Sequence, residues 1–271
     1  MSNNKKNNGF IETPFEKSTS LYSRLLNYRN INILIFIVFA ILIALAAASF
    51  TSYYCLIIPI AIYLFIIVLG VVNIRLNFFL PSIQKIEDTS KVLLTFDDGP
   101  HPVYTPLVLD LLDQYQAKAI FFVIGKQAEE APLLLEEIKS RGHIIGCHTY
   151  SHHHLFDIFS EKKMLAEVEK TNKLIEQIAG EKTQFFRPPF GITNPRIANL
   201  IKKSGMKSVA WSFRSFDGSR RTNEVILKSI KNKIKGGEIL LFHDNRLRTI
   251  ALLQQALPWL SEHFDLNPNK L

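Results

Sequence analysis

The stretch that decides the fold is Leu93-Leu94-Thr95-Phe96-Asp97-Asp98-Gly99-Pro100. The apolar residues 92–96 predict a buried strand, which Gly99-Pro100 ends. Two adjacent carboxylates therefore stand where a strand gives way to a loop, the position at which α/β folds place their chemistry. Because side chains alternate along a strand, Asp97 and Asp98 start in opposite directions and can serve two roles, such as holding a metal and moving a proton. The alternative is an ordinary turn that caps the strand, since Asp, Gly and Pro are common turn residues.

The composition indicates a membrane association rather than a nucleic-acid partner. The 271 residues carry a net charge of +8, and 47% of them are hydrophobic. The apolar excess is local, because residues 30–74 contain no Asp, Glu, Lys or Arg. No dense block of Lys and Arg with interleaved aromatic residues supports nucleic-acid binding, so we expect membrane lipids and no nucleic acid as partners. The two cysteines, Cys55 and Cys147, lie far apart in the chain and predict no disulfide framework.

The apolar excess divides the chain into four predicted parts. Residues 1–30 form a polar and basic N-terminal segment, residues 31–73 a membrane segment, residues 74–90 a connector, and residues 91–271 the globular domain. Within the membrane segment, the apolar runs 31–50 and 56–72 predict two helices separated by a polar and aromatic break. One span followed by a buried or interfacial helix is the alternative. A cleaved signal peptide fits poorly, because the first run is too long and further membrane-length sequence follows it.

Basic residues flank both ends of the membrane segment. Lys17, Arg24 and Arg29 precede it, and Arg75 and Lys85 follow it. A two-helix hairpin returns the chain to the side it left, so the positive-inside rule predicts both chain ends and the globular domain in the cytoplasm of a multi-pass cell-membrane protein. The domain lies outside if only one run crosses or if the charge bias is overridden. The sequence therefore leaves the membrane side of the domain open.

Strands and amphipathic helices alternate from residue 91 onward. The predicted strands cover residues 92–96, 119–124, 143–147, 184–187, 207–213 and 238–242. The predicted helices cover residues 105–115, 126–141, 161–179, 195–203, 222–235 and 248–263, the last interrupted by Pro258. This alternation predicts an α/β fold with parallel strands and right-handed crossovers. Polar residues recur at the strand ends, which favours a barrel.

A histidine pair follows the third predicted strand, in His148-Thr149-Tyr150-Ser151-His152. Two imidazoles at this spacing meet on one face of a helix or converge in a tight loop. Two His and one carboxylate leave coordination positions open for water and substrate, which is the pattern of a catalytic metal rather than a structural one. Because His153 and His154 lie next to this pair, the sequence leaves open which imidazoles bind the metal. An exposed His-rich turn is the alternative.

Two further strand ends carry candidate catalytic groups. In Arg187-Pro188-Pro189-Phe190-Gly191 the prolines stiffen the loop, so that the Phe190 N–H can face a developing oxyanion and Arg187 can pair with a carboxylate. A stiff structural turn is the alternative for this loop. His243 ends the last predicted strand. A lone His there is more often structural, but one that shares a site with a metal and a carboxylate is a candidate general acid.

Five segments resemble, in order and rough spacing, the motifs of the polysaccharide deacetylase family, also known as the NodB-homology domain or carbohydrate esterase family 4. They are residues 95–100, 148–152, 187–191, 211–217 and 241–243. The resemblance implies a distorted (β/α) barrel, a divalent metal that is Zn²⁺ with Co²⁺ or Ni²⁺ as alternatives, and hydrolysis of an N-acyl group on an amino sugar. The roles that it implies are Asp97 as general base, Asp98, His148 and His152 as metal ligands, Arg187 as the group that orients the base, the Phe190 amide as oxyanion donor, His243 as general acid, and Trp211 and Leu241 as walls of the acyl pocket.

The fourth motif departs from the family pattern. Asp217 is the candidate partner that keeps His243 charged near neutral pH. Gly218 stands where the family often has Trp, so we expect one substrate wall to be missing. Arg214 adds a positive charge suited to an anionic or phosphate-bearing substrate. The chain ends soon after Phe264, so the last barrel strand is expected to be short or absent.

These observations predict a membrane-anchored, metal-dependent hydrolase that removes N-acetyl or similar acyl groups from amino sugars of a polysaccharide. A closely related hypothesis is a deacylase or deformylase of a lipid-linked sugar at the cytoplasmic face of the membrane. The expected partner is accordingly an N-acylated amino-sugar glycan or a lipid-linked sugar. A catalytically inactive glycan-binding membrane protein is the hypothesis from another class, although binding alone requires neither a base such as Asp97 nor an acid such as His243.

Overall fold

Two apolar helices open the described part of the chain. The computed structural model describes residues 25–49 and 51–267, so most of the predicted N-terminal segment and residues 268–271 lie outside it. Helix α1 is Tyr28–Ala47 and helix α2 is Ile57–Val72, preceded by a 3-10 turn at Tyr53–Leu56. The stretches Tyr28–Ala47 and Tyr53–Val72 have mean hydropathies of 2.7 and 3.0. Both helices predicted for the membrane segment are therefore present, and each is long and apolar enough to cross a bilayer.

The C-terminal end of α2 packs directly against the globular domain. A Cβ at Gly70 would lie 2.2 Å from the ring of Phe78, so only glycine lets this ring approach the helix. Thr193, in a loop of the domain, donates from its amide to the Val71 carbonyl at 2.9 Å and from its hydroxyl to the Gly70 carbonyl at 3.0 Å. Ile74, two residues beyond the helix, is buried. These contacts attach the helix end to the domain rather than leaving it on a free linker.

Eight parallel strands form one curved sheet. In chain order they are β1 (Ser82–Ile83), β2 (Leu93–Asp97), β3 (Ala119–Val123), β4 (Ile144–Cys147), β5 (Phe185–Phe186), β6 (Lys207–Val209), β7 (Phe213–Arg214) and β8 (Ile239–His243). Their order across the sheet is β1-β6-β5-β4-β3-β2-β8-β7, and every neighbouring pair is parallel. The architecture is an α/β half-barrel, which confirms the predicted parallel α/β fold and leaves the sheet with two edges.

The predicted strand 207–213 is wrong, because it is two strands, β6 next to the edge strand β1 and β7 at the opposite edge of the sheet. Between β6 and β7, the amide of Ala210 donates to the Ile83 carbonyl on β1 at 2.7 Å. Two residues later, the Ser212 amide donates to the Ile239 carbonyl on β8 at 3.1 Å, and the Ser212 hydroxyl accepts from the Ile239 amide at 3.0 Å. Three residues cannot span a flat sheet of eight strands. The sheet must therefore curve until its edges are close together.

The crossover helices lie close to their predicted positions. They are α3 (Tyr104–Gln114), α4 (Gly125–Glu130), α5 (Pro132–Ser140), α6 (Glu161–Ala179), α7 (Pro195–Ser204), α8 (Asn223–Lys233) and α9 (Leu247–His263). The single helix predicted over 126–141 is wrong, because Pro132 lacks an amide hydrogen and restricts Ala131, which divides α4 from α5. Pro258 lies inside a continuous α9 instead of interrupting it. The predicted connector also contributes a strand, β1, which pairs with β6.

The alternation of side chains along β2 determines what the site contains. Leu94 and Phe96 belong to the large apolar cluster that the strands share with the surrounding helices. Leu93 joins a second apolar cluster on the other face of the sheet. Thr95 and Asp97 share that face, where both accept hydrogen bonds from a buried guanidinium. The period of two therefore directs Asp97 into the half-barrel.

His143 is buried in the core and gives the fold a dependence on pH. Its Nδ1 accepts a hydrogen bond from the Ala119 amide at 3.2 Å, and its Nε2 has no partner among the described residues. Burial lowers the pKa of His143 to about 4, and the charge of Lys118 acts in the same direction. Because the unfolded chain binds a proton at a higher pH than the folded chain, the free energy of unfolding falls as the pH drops from the unfolded pKa of about 6.5 towards 4.

We predict that His143→Asn flattens this dependence, since the Asn Oδ1 can replace Nδ1 as acceptor and does not titrate. The change removes up to about 3 kcal/mol of acid-induced destabilisation between pH 6.5 and pH 4. Urea unfolding of the full chain in detergent, measured at several pH values in that window, checks the prediction. An equal loss of stability in the variant and in the unsubstituted protein contradicts it.

Candidate active site

Asp97 ends β2 and is held by the fully buried guanidinium of Arg187. Nη1 of Arg187 donates to Asp97 Oδ1 at 2.6 Å and to Thr95 Oγ1 at 2.9 Å. Its Nε and Nη2 donate to the carbonyls of Val209 and Ala210 at 3.1 and 2.9 Å. Burial lowers the pKa of Arg187, and the charge and hydrogen bond of Asp97 act in the opposite direction. The pairing of Arg187 with a carboxylate, expected from the sequence, is present, and it fixes one oxygen of Asp97.

Asp98, His148 and His152 form a cluster with the donor set of a metal site. Asp98 Oδ1 lies 3.7 Å from His148 Nε2 and 3.5 Å from His152 Nε2, and one ligand atom from each residue lies within 4.8 Å of the others. Asp97 Oδ2 lies 3.9 Å from His148 Nε2. Nδ1 of His148 makes a 2.7 Å hydrogen bond to the Arg187 carbonyl, which leaves Nε2 for a ligand bond. One carboxylate and two imidazoles, one of which is oriented by the Arg187 carbonyl, fit a divalent metal of the zinc type.

The loops that carry these ligands have an unusual backbone. Asp98, Thr149 and His152 have φ values of 72°, 65° and 46°, in the left-handed region that side chains other than glycine rarely adopt. The Thr149 hydroxyl accepts a hydrogen bond from the His152 amide at 3.1 Å and so closes the turn. Burial lowers the pKa of His152 to about 4, as does the charge of His148, against the opposing charge of Asp98. His152 is therefore neutral at pH 7, which is the form that binds metal.

His153 and His154 do not join this cluster. Their rings stack on each other at 4.4 Å, and His153 also contacts the ring of Phe159 at 5.1 Å. His148 and His152 instead lie 4.8 Å apart, centroid to centroid. The segment is a loop and not a helix, so the two imidazoles converge by the tight-loop alternative.

His243 ends β8, beside Asp97, and is held by Asp217. Nδ1 of His243 makes a 2.8 Å hydrogen bond to Asp217 Oδ1, and its amide donates to Oδ2 at 2.8 Å. The Thr249 hydroxyl donates to the same Oδ2 at 2.8 Å. Burial lowers the pKa of His243. The hydrogen bond and charge of Asp217, together with the charges of Asp97 and Asp98, raise this pKa by more than burial lowers it, so the net shift is upward. Burial raises the pKa of Asp217, but the hydrogen bonds from His243 and Thr249 and the charge of His243 bring this pKa below its usual value.

These groups surround one cavity of about 310 Å³. Trp211 and Leu241 form part of its wall, and Ile74 packs behind them in the same apolar cluster. The Phe190 side chain is 54% exposed at the cavity, and its ring contacts His152 at 4.9 Å between centroids. Nine of the ten predicted site residues line the cavity, namely Asp97, Asp98, His148, His152, Phe190, Trp211, Asp217, Leu241 and His243. The tenth, Arg187, holds Asp97 from within the half-barrel.

The wall expected to be missing at Gly218 is occupied by another residue. A Cβ at Gly218 would lie 1.9 Å from Nη1 of Arg246, so the guanidinium fills the space beside this glycine. Nη2 of Arg246 lies 3.7 Å from Asp98 Oδ2, and both Arg246 and Arg214 line the cavity. That Arg246 fills this space could not be predicted, because it lies 28 positions from Gly218 in the chain. The cavity is thus more cationic than the motif alone predicts.

Asp244 is a further residue that sequence reasoning did not assign. It accepts a hydrogen bond on Oδ2 from the Thr105 hydroxyl, and its amide donates to the Asp97 carbonyl at 3.3 Å. Its Oδ1 has no partner within the described residues, and burial raises its pKa to about 7. A Cβ at Gly99 would lie 2.1 Å from this carboxyl, so Gly99 is needed for its approach. Asp244 therefore supports the loop that carries Asp98.

Comparison with known proteins agrees with this geometry. The family described as "Polysaccharide deacetylase" matches residues 84–209. The chain is 36% identical over 187 residues to the peptidoglycan-N-acetylglucosamine deacetylase of Bacillus cereus, which covers 67% of this chain and 84% of the relative. It is 32% identical over 198 residues to the chitooligosaccharide deacetylase of Azorhizobium caulinodans, which covers 67% of this chain and 94% of the relative.

Solved structures share the same fold. The peptidoglycan deacetylase PdaC from Bacillus subtilis superposes with a TM-score of 0.62 at 29% identity, over 66% of this chain and 87% of that one. A mutant of a CE4 family pseudoenzyme superposes with a TM-score of 0.63 at 25% identity, over 69% of this chain and 68% of that one. Active and inactive proteins thus share the architecture, so the site residues carry the argument for activity. On the motifs, the fold and the identity to these relatives, the chain belongs to the polysaccharide deacetylase family (CE4, NodB homology), which places it among the hydrolases that act on carbon–nitrogen bonds.

Proposed function

We propose that the protein is a membrane-anchored, metal-dependent hydrolase that removes N-acetyl groups from amino sugars of a glycan such as peptidoglycan or a chitooligosaccharide. One observation carries this proposal. A carboxylate held by Arg187 and an imidazole held by Asp217 face the same cavity as the Asp98, His148 and His152 cluster. An inactive glycan-binding protein needs neither a held base nor a held acid, so the site supports the enzyme.

The cluster of Asp98, His148 and His152 would hold the divalent metal, with Zn²⁺ favoured by its two imidazoles and one carboxylate and Co²⁺ or Ni²⁺ as alternatives. When bound, the metal supplies a Lewis acid that polarises the amide carbonyl and makes water easier to deprotonate. The hydrogen bond from His148 to the Arg187 carbonyl keeps the ligand imidazole in the tautomer with Nε2 free.

Asp97 is the proposed general base and His243 the proposed general acid. Asp97 takes a proton from the attacking water, while Arg187 holds the other carboxylate oxygen in place. The water oxygen bonds to the carbonyl carbon, the C–N bond breaks, and the leaving nitrogen takes a proton from Nε2 of His243. The products are acetate and the free amino sugar. Asp217 accepts from Nδ1 of His243 and thereby directs Nε2, the other ring nitrogen, towards the cavity.

The remaining predicted residues complete the proposed site. The backbone amide of Phe190 is the proposed oxyanion donor, on a loop stiffened by Pro188 and Pro189. Trp211 and Leu241, both buried at the cavity wall, are proposed to contact the acetyl methyl group. We expect this apolar wall to favour a short acyl group. A small hydrophobic pocket discriminates against each added methylene by about 1 to 3 kcal/mol.

Metal analysis combined with acetate release tests the proposed function. We expect about one divalent metal per purified full-length chain and release of acetate from an N-acetylglucosamine oligomer. Asp97→Asn should keep the metal and lose about 10²- to 10⁴-fold in rate, since it removes the base and not a ligand. His148→Ala should lose the metal. Metal-loaded protein that releases no acetate, or an Asp97→Asn variant as active as the unsubstituted enzyme, contradicts the proposal.

The pH profile tests the assignment of His243. A general acid acts in its protonated form, so kcat/KM falls as the pH rises through the pKa of His243. Asp217 raises that pKa, so Asp217→Asn should move the alkaline limb of the profile to lower pH. Thr249→Val is the matched control, because it removes one hydrogen bond to Asp217 and keeps the charge. An alkaline limb at the same pH in Asp217→Asn and in Thr249→Val refutes the assignment.

We propose that the two N-terminal apolar helices form a two-span anchor in the cell membrane. In support, only 6% of each candidate span is buried, and the Tyr63 hydroxyl of α2 donates to Asn32 of α1 at 2.7 Å. The basic residues on both flanks favour a hairpin with both ends in the cytoplasm.

Topology reporters test the anchor. A reporter inserted after Ser52 and a second one fused after Leu271 should lie on opposite sides of the membrane. A cytoplasmic location of the second reporter favours a lipid-linked precursor as the substrate, and a location outside favours a wall or exported glycan. A shortened chain would show that the first helix is a cleaved signal. Two reporters on the same side would show that α2 does not span the membrane, which contradicts the hairpin.

A further inference from the structure

A second cavity of about 610 Å³ opens beside the active-site cavity, and we call it the basic groove. One wall is the end of α2, with the apolar side chains of Leu69 and Val72, and the turn that follows it. The opposite wall comes from β7 and α8. The two cavities share Trp211, Arg214 and Phe216 in their linings. The two cavities are therefore neighbours, and a ligand in the basic groove lies close to a sugar in the active site.

The groove is cationic and has no acidic residue in its lining. Arg75, Arg214, Arg221 and Lys233 all line it and are all exposed. Arg214 and Arg221 lie on the ring of Phe216, with guanidinium carbons 5.4 and 4.3 Å from its centroid. Within residues 25–49 and 51–267, none of these four cations has a carboxylate within the 4.0 Å of an ion pair. Four like charges around one cavity repel each other, and a bound anion relieves that repulsion.

The position of the groove indicates where the anion comes from. Leu69 and Val72 lie in the last turn of α2, the helix end attached to the domain through Thr193. In the proposed anchor this helix end lies at the membrane interface, where lipid phosphates lie. The exposed apolar side chains on one wall suit the first carbons of a lipid chain. The cations opposite suit phosphate, which Arg binds through two parallel hydrogen bonds.

We propose that the basic groove binds the phosphate or diphosphate through which an amino-sugar glycan is attached to a membrane lipid, and so presents the acylated sugar to the active site. This inference rests on the proposed hydrolase activity and names its substrate class. The same cations would also attract an ordinary anionic headgroup or free inorganic phosphate, and the experiment separates these sources from the lipid-linked glycan.

The test measures binding to the full-length protein in neutral detergent. The probes are a short polyprenyl diphosphate carrying N-acetylglucosamine and the neutral polyprenyl glycoside of the same sugar. Tryptophan fluorescence in a Trp259→Phe background reports Trp211, which lines both cavities. The groove variant is Arg221→Gln with Lys233→Gln. The matched control is Lys228→Gln with Lys231→Gln. It removes two exposed charges from α8, the helix that carries Lys233, at positions outside the groove lining.

We expect the diphosphate probe to bind at least about tenfold more tightly than the neutral glycoside, as charge-assisted hydrogen bonds allow. The groove variant should lose most of that preference, and the control should keep it. Equal affinities for the two probes, or equal losses in the groove variant and the control, overturn the proposal. So does inorganic diphosphate or phosphatidylglycerol binding as tightly as the diphosphate probe, because the glycan link is then irrelevant.

Acetate release from the neutral N-acetylglucosamine oligomer is measured on the same preparations. Its absence refutes the hydrolase, whereas the binding comparison decides on the groove without any turnover. The two failures are therefore distinguishable.

Discussion

A guanidinium buried without access to water holds the site together. Removing Arg187 from water costs on the order of several kcal/mol. The structure offsets this cost with four hydrogen-bond acceptors, two on β2 and two at the end of β6, and with two aromatic rings, Phe122 at 4.1 Å and Trp211 at 5.7 Å. The planar fork matters, because a lysine ammonium cannot reach acceptors in these divergent directions. The backbone carbonyl of the same residue accepts from His148. One residue thereby orients both the proposed base, Asp97, and a proposed metal ligand.

Much of this site could be predicted from sequence because it is built on strand ends. A strand of five residues followed by Gly-Pro is a local signal, and the period of two directs Asp97 inward without knowledge of the rest of the chain. The carboxyl ends of parallel strands meet at one edge, so Asp97 and His243, which are paired in register on β2 and β8, must be neighbours. Asp217 was predictable only as a charge near the end of the motif, and its two oxygens prove to serve His243 and Thr249.

Features that depend on the curvature of the sheet could not be predicted. Residues 207–213 look like one strand, but the two halves pair with β1 and β8, which lie near opposite edges of the sheet. The hydrophobic period carries no information about such partners. The filling of the space beside Gly218 likewise depends on the folded geometry. The space beside it is filled by Arg246 from another element, and only the folded geometry brings the two positions together. Composition also cannot show that an apolar helix packs against a domain, as Gly70 and Phe78 do.

That contact bears on the proposed membrane anchor. If α2 only tethered the domain, the active site would sample many orientations above the membrane, and its wall would not depend on the helix. Instead Ile74, just beyond α2, packs behind Trp211 and Leu241, and Thr193 hydrogen-bonds the last turn of the helix. The cavity wall and the helix end are thus one packed unit, so the cavity has a fixed height and direction relative to the helix axis. If α2 spans the membrane as proposed, the cavity opens at a constant distance from the membrane surface. That geometry favours a glycan attached to a lipid, independently of the charge of the groove.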